Sequence, residues 1–288
     1  MDLNNDGYGD ILSGSYSRME DSMAGLFQVL WGGAGGKFKD AAVLKGTDNK
    51  PLIIPIKGKD DQLQNICTRP WAVDWDGDGK LDLVVGNFGG SFYIFKGEGN
   101  GKFGPKPEPL MAGSSRLEIR GHHSDPFVVD WDGDGDLDIV SGSADGGVQW
   151  AENSAGRGKP PAFNGFTTLI EQGRHFNFGE LVTAQELTGP SRSTRVWIDD
   201  VNGDGKLDVL VGDDITLTSI AKGVTKKQYD EKLKKWIDAS TAASKAIEDA
   251  TDDTAREAAQ KRMHDLYEQR SEFMNEDRTG FVWLYRQK

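Results

Sequence analysis

Asp130-Trp131-Asp132-Gly133-Asp134-Gly135-Asp136-Leu137-Asp138 decides the reading of this chain. Acidic side chains stand at its first, third, fifth, seventh and ninth positions, and Gly135 stands at the sixth. Oxygen donors at alternate positions, turned back by one glycine, suit a hard divalent cation that takes a flexible shell of oxygens. The pattern occurs three more times, as Asp74, Asp76, Asp78 and Asp82 around Gly79, as Asp200, Asn202, Asp204 and Asp208 around Gly205, and as Asp2, Asn4, Asp6 and Asp10 around Gly7. The seventh positions, Tyr8, Lys80, Asp136 and Lys206, are expected to offer backbone carbonyls. Asp136 is therefore spare as a side chain and adds only charge.

An EF-hand would need a bidentate Glu at position twelve and a helix after it. Position twelve is Ser13, Val85, Ser141 or Val211, each inside a run of strand-forming residues. The net charge of −12 resides largely in the loops, which carry fourteen carboxylates at positions one, three, five and nine. About four Ca²⁺ ions, one per loop, would bring that charge to about −4. An acidic chain of this kind is not built for nucleic acid. No apolar run is long enough to span a membrane. Cys67 is the single cysteine, which excludes a disulfide framework.

The surroundings of the loops repeat as well. Trp71-Ala72-Val73, Phe127-Val128-Val129 and Trp197-Ile198 precede them. Ile11-Leu12-Ser13-Gly14, Leu83-Val84-Val85-Gly86, Ile139-Val140-Ser141-Gly142 and Val209-Leu210-Val211-Gly212 follow. Such short apolar runs ending in Gly read as buried strands. A further strand opens after Gly25, Gly90, Gly147 and Gly280, and a weaker fourth follows where there is room. Loop starts at residues 2, 74, 130 and 200 give a loose period of the kind that marks an array. The fold class is thus all-β, a β-propeller of four-stranded blades with four repeats visible.

These residues resemble the FG-GAP/VCBS repeat family, the calcium-bearing blades of integrin α-subunits and of bacterial extracellular proteins. Gly86-Asn87-Phe88-Gly89-Gly90 matches the family signature most closely, and Gly142-Ser143-Ala144-Asp145-Gly146-Gly147 is a looser copy. The resemblance implies calcium in the loops and an extracellular or periplasmic location. Met1 directly precedes the first loop, so no signal peptide stands before it, and the natural protein is expected to extend upstream.

Residues 223–277 interrupt the pattern. Asp208 and Gly280 are 72 positions apart, against 8 between Asp82 and Gly90. Capping boxes at Thr225/Gln228 and Thr254/Glu257 predict two helices, and apolar stripes ending in Phe273 and Met274 predict that they pair. The domains read as blades over 1–222, an antiparallel helical hairpin over 223–277, and a closing strand of the fourth blade over 278–288. The hairpin is a candidate docking or oligomerisation arm.

Strand alternation sends the residues before the first strand and after the second to the end opposite the calcium loops. Arg69, Asp125 and Arg195 hold equivalent positions there, each two residues before an aromatic, and Asn87, His123 and Asp213 converge with them. Arg, His and carboxylate groups around one mouth make a candidate pocket for a glycan or protein ligand. No catalytic motif accompanies them. The expected function is a calcium-binding extracellular binding or adhesion module. The alternatives are a lyase-like polysaccharide enzyme using the Arg/His pocket, and a scaffold assembled through the hairpin.

Overall fold

A computed structural model describes residues 1–16, 24–56, 58, 63–156 and 158–287. The chain is mostly β, with two α-helices among the described residues. It divides into two compact units. The first comprises Met1–Gly173, Gly189–Asp213 and Phe281–Lys288, and the second Arg174–Thr188 and Asp214–Gly280.

Each acidic loop in the first unit joins two antiparallel strands or opens onto one. In the second sheet, β4 (Arg69–Val73), β5 (Asp82–Gly86), β6 (Phe92–Phe95) and β7 (Glu108–Pro109) lie in sequence order. The third sheet repeats this with β8 (Asp125–Val129), β9 (Asp138–Gly142), β10 (Val148–Ala151) and β11 (Thr167–Ile170). The first sheet is shorter, with β1 (Ile11–Gly14), β2 (Phe27–Leu30) and β3 (Ala42–Val43). In the fourth, β12 (Arg192–Asp199) pairs with β13 (Asp208–Ile220), whose segment Val209 to Gly212 pairs with β15 (Val282–Tyr285).

The consecutive apolar residues Leu83-Val84-Val85 of β5 and Ile139-Val140 of β9 follow from burial on both faces. Leu83 and Val85 enter a core with Phe27, Val29 and Phe95, whereas Val84 points the other way into a core with Phe92, Val128 and Ile139. One residue after Ile139, Val140 enters a third core with Phe127, Ile198 and Val209. The two-residue period of each strand thus distributes its side chains between successive cores.

A second device joins the sheets. Gly14, Gly86 and Gly142 end the strands after the loops, and a Cβ on each would lie 1.8, 2.3 and 2.3 Å from the carbonyl oxygens of Thr68, Ser124 and Thr194. Only glycine permits that approach. The residue after each glycine then exchanges bonds with the same hydroxyl residue of the next sheet. Asn87 N–H donates to Ser124 Oγ at 2.9 Å, and Ser124 N–H donates back to Asn87 O at 3.0 Å. Ser143 N–H donates to Thr194 Oγ1 at 2.9 Å, and Thr194 N–H returns to Ser143 O at 2.8 Å. Ser15 and Thr68 repeat the exchange at 3.2 and 3.0 Å. Thr68, Ser124 and Thr194 are all buried, and each directly precedes Arg69, Asp125 or Arg195. The staple therefore fixes the backbone from which those charged side chains project.

The second unit contains α1 (Lys226–Glu248) and α2 (Asp253–Arg270). Thr225 and Gln228 form a reciprocal capping box at the start of α1. The second helix is capped differently from the sequence reading, because Asp252 rather than Thr254 accepts the N–H of Ala255, at 2.8 Å. A carboxylate at the N-cap satisfies that orphan donor and also favours the helix dipole. Met274 does not extend α2; it opens β14 (Met274–Thr279), which pairs with Ile215 to Ile220 of β13. This unit thus reaches beyond a simple hairpin, and it also includes Arg174–Thr188. Its core gathers Tyr229, Trp236, Phe273 and Met274, and the Arg270 guanidinium lies 4.9–5.4 Å from the ring centroids of Tyr267, Phe178 and Trp236.

Candidate functional site

The acidic loops wind around their first carboxylate. Asp130 accepts the N–H groups of Gly133 at 2.8 Å and Gly135 at 3.1 Å, and Asp74 accepts those of Gly77 and Gly79 at 2.9 and 3.0 Å. Asp200 does the same for Gly203 and Gly205, and Asp2 for Asp6 and Gly7. Positions four and six both have positive φ, including Gly133 at 78° and Gly135 at 95°. In the first loop Asn5 takes position four at 58°, and Asn tolerates the left-handed region better than most side chains. The position-four requirement is a second signal in the repeat, beyond the glycine at position six.

This winding turns positions one, three and five inward. Carboxylate oxygens of Asp74, Asp76 and Asp78 lie within 4.8 Å of one another, as do those of Asp130, Asp132 and Asp134. In the other two loops Asn4 and Asn202 supply position three, and their amides donate to Asp6 and Asp204 at 3.1 and 2.9 Å. An all-oxygen donor set gathered this closely fits a hard divalent cation. Lys96 Nζ lies 2.8 Å from Asp76 and Lys80 Nζ 3.0 Å from Asp78, so the second loop carries its own counter-charge. The third loop has Asp136 where the second has Lys80.

The ninth aspartates stand apart from these triads. Both oxygens of Asp10, Asp82 and Asp138 accept backbone N–H groups. Asp10 takes those of Leu3 and Gly32 at 2.8 and 2.7 Å, Asp82 those of Trp75 and Gly97 at 3.3 and 2.6 Å, and Asp138 those of Trp131 and Asn153 at 3.1 and 2.8 Å. Each buried carboxylate thus ties the start of its loop to the chain just beyond the second strand after that loop. Burial pushes the Asp138 carboxyl up to about 6. Asp208 makes half of this clasp, to Gln287 N–H at 3.2 Å, and its other oxygen is buried without a partner. Asp136 also has a structural contact, because it is buried and accepts the N–H of Gly156 at 2.6 Å. Tyr8 and Lys206 are exposed on their loops.

At the other end of the strands, Asp125 lies between two guanidinium groups. Arg69 Nη1 is 3.8 Å from its carboxylate and Arg195 Nε is 3.5 Å away. Burial pushes the Asp125 carboxyl up, and the two cations oppose that rise. Two residues further along each strand, Trp71, Phe127 and Trp197 meet, with centroid separations of 4.2 Å for Trp71–Phe127 and 5.5 Å for Phe127–Trp197. His123 packs against Phe88 at a centroid separation of 4.2 Å with the rings inclined at 55°, and it has a positive φ of 60°. Burial and then the charges of His122, Arg69 and Arg195 hold its imidazole down at about 4.

The remaining two predicted ligand residues are engaged in internal hydrogen bonds. Asn87 is completely buried, and its carboxamide bonds Ser91 at 2.9 and 3.3 Å. Asp213 accepts from Ser191 N–H, Phe281 N–H and the Trp283 indole at 2.9, 2.8 and 3.2 Å. Arg69, His123, Asp125 and Arg195 are therefore the predicted set that the structure brings together. The hydroxyl staples lie outside the residues that the sequence pattern singles out. Their signal in the sequence is a Thr, Ser and Thr immediately before Arg69, Asp125 and Arg195.

A sequence model described as FG-GAP-like repeat matches residues 74–141 and 130–211. Both spans start on the first aspartate of a loop and run through the next loop to the strand beyond. Comparison with curated proteins gives no match. Among the described residues, no helix is long and apolar enough to cross a membrane.

Proposed function

Through residues 74–211 the chain belongs to the FG-GAP repeat family, and from that premise we propose that it is a calcium-binding β-propeller module that acts outside the cytoplasm. Each repeat contributes a blade, and each loop holds one Ca²⁺. The ion would supply positive charge at the centre of the loop. Asp130, Asp132 and Asp134 hold it from one side, and the Asp138 clasp keeps the loop seated on its sheet. The ligand, a glycan or a protein, is bound at the far strand ends, where Arg69, Asp125, Arg195 and His123 gather.

The observation that carries this reading is the pair of carboxylate triads within 4.8 Å, formed by residues that recur at fixed spacing. A ligand that binds the folded state stabilises it by mass action, by about 2.7 kcal/mol at a hundredfold excess over Kd. Melting curves recorded in Ca²⁺ and in excess EDTA test the proposal. The expected result is a rise in Tm with Ca²⁺, a smaller rise with Mg²⁺, and a reduced rise in Asp134→Ala. An EDTA-treated protein that melts at an unchanged temperature in added Ca²⁺ would overturn it.

A further inference from the structure

The Arg69–Asp125–Arg195 cluster is unbalanced in charge. Two guanidinium groups face one carboxylate, and among the described residues no other acid lies within ion-pair distance of either. Their donors are also poorly matched. Arg69 Nε is buried without a partner, and Arg69 Nη2 reaches only the Cys67 sulfur at 3.4 Å. Arg195 Nη1 donates to the carbonyls of Thr194 and Ser193 at 2.7 and 3.3 Å, while its Nε stands 3.5 Å from Asp125. A partly buried cation with unmatched donors is costly, and an added anion relieves that cost. The neighbouring His123 supplies none, because an imidazole is either neutral or cationic.

Arg195 and Trp197 are two residues apart on β12, so their side chains share one face of the strand, roughly 7 Å apart. Trp197 is 55% exposed, although its ring meets those of Phe127 and Trp71 in edge-to-face geometry. An open indole beside a guanidinium with spare donors offers two different contacts at a fixed spacing.

We propose that Arg69, Arg195 and the open indole of Trp197 form a docking subsite for a carboxylate-bearing sugar, the uronate unit of an acidic polysaccharide. The carboxylate of such a sugar is fixed to a ring whose C–H face is flat and apolar. The planar guanidinium fork recognises the carboxylate, and the indole takes the ring face. An acidic peptide carries its carboxylate on a flexible arm and has no use for the aromatic platform. This inference rests on the reading of the chain as a binding module and names the ligand class for it.

Titration calorimetry on the whole chain at one fixed Ca²⁺ concentration tests the subsite, with trigalacturonate, galactotriose and a triaspartate peptide as probes. Trigalacturonate should bind and galactotriose should not. Arg195→Gln and Arg195→Lys should each weaken binding about tenfold or more, the second because it keeps charge but loses the fork. Trp197→Ala should weaken it as well, and its exposed side chain makes this the variant least exposed to folding effects. Absence of trigalacturonate binding, equal binding of triaspartate, or indifference to Trp197→Ala would each overturn the proposal. The melting temperature of the same samples separates the two readings. A Ca²⁺-dependent rise without uronate binding sinks the subsite alone, whereas the absence of that rise sinks the module.

Discussion

The carboxylate of Asp82 accepts the backbone N–H of Gly97, fifteen residues later, at 2.6 Å. Its other oxygen holds Trp75 N–H at 3.3 Å, so one side chain fastens the loop to the chain just beyond β6. The same ligand-like residue type therefore performs two kinds of work in one nine-residue pattern.

That division predicts opposite behaviour at positions five and nine of the third loop. Asp138→Ala removes a buried acceptor and leaves the N–H groups of Trp131 and Asn153 without it, at a cost of about 2–4 kcal/mol whether or not Ca²⁺ is present. Asp134→Ala should change stability little in EDTA and should reduce the stabilisation by Ca²⁺. Urea unfolding of both variants, with and without the ion, checks the contrast.

The staples predict sensitivity at positions remote from any ligand. Thr194→Val removes a hydroxyl that accepts from Ser143 N–H and donates to the carbonyls of Gly147 and Ser143. The expected loss is about 2–3 kcal/mol by urea unfolding, because the buried Ser143 N–H keeps no equivalent acceptor. Gly142→Ala should also destabilise, since the added methyl would meet Thr194 O at 2.3 Å. A tolerated alanine there would show that the sheets can separate without cost.

The depressed imidazole of His123 sets the direction of one pH effect. With a folded value of about 4 against an ordinary 6.5, the unfolded chain binds more protons between those limits. The contribution of His123 to stability is therefore complete above about pH 6.5 and is lost as pH falls through about 4. His123→Asn, which tolerates the positive φ of 60° at this position, should flatten this part of the stability profile. Urea midpoints measured from pH 7 to pH 4 compare the two proteins, and an NMR titration should find the His123 ring still neutral at about pH 5.5.

In the second unit, Arg270 is predicted to contribute through its planar cation. Its guanidinium faces three aromatic rings and pairs with Glu276 at 2.7 Å. Arg270→Ala should destabilise this unit by about 1–3 kcal/mol, and Arg270→Lys should recover only part of the loss. Trp236 lies in the same cluster, so its fluorescence reports the change.

The loops were legible in the sequence because Asp at alternate positions with Gly at the sixth encodes both donor type and chain reversal. The strands around them were legible because β5 and β9 must be apolar on both faces. The separate task of Asp138 was not, since nothing in its residue type distinguishes a carboxylate aimed at an ion from one aimed at backbone N–H groups. For the same reason Asn87 and Asp213 look like ligand groups in the sequence, although both are occupied by internal bonds. Thr68, Ser124 and Thr194 look like ordinary strand-entry residues until their partners, 37 to 53 residues away, come into register. At the second helix the Thr254/Glu257 spacing points to a capping box, yet Asp252, two residues earlier, is the N-cap and accepts the Ala255 N–H.

The staples connect each sheet only to the next, by the same hydroxyl, the same glycine and the same exchange of backbone bonds. Outside the Trp71–Phe127–Trp197 and Arg69–Asp125–Arg195 clusters, which join three sheets, these junctions contribute to the energy of the first unit as nearest-neighbour terms. Unfolding can start at whichever junction is weakest and pass along the array without breaking everything at once. The same locality makes the repeat a unit of growth, because a duplicated segment brings both halves of its joint and needs no compensating change elsewhere.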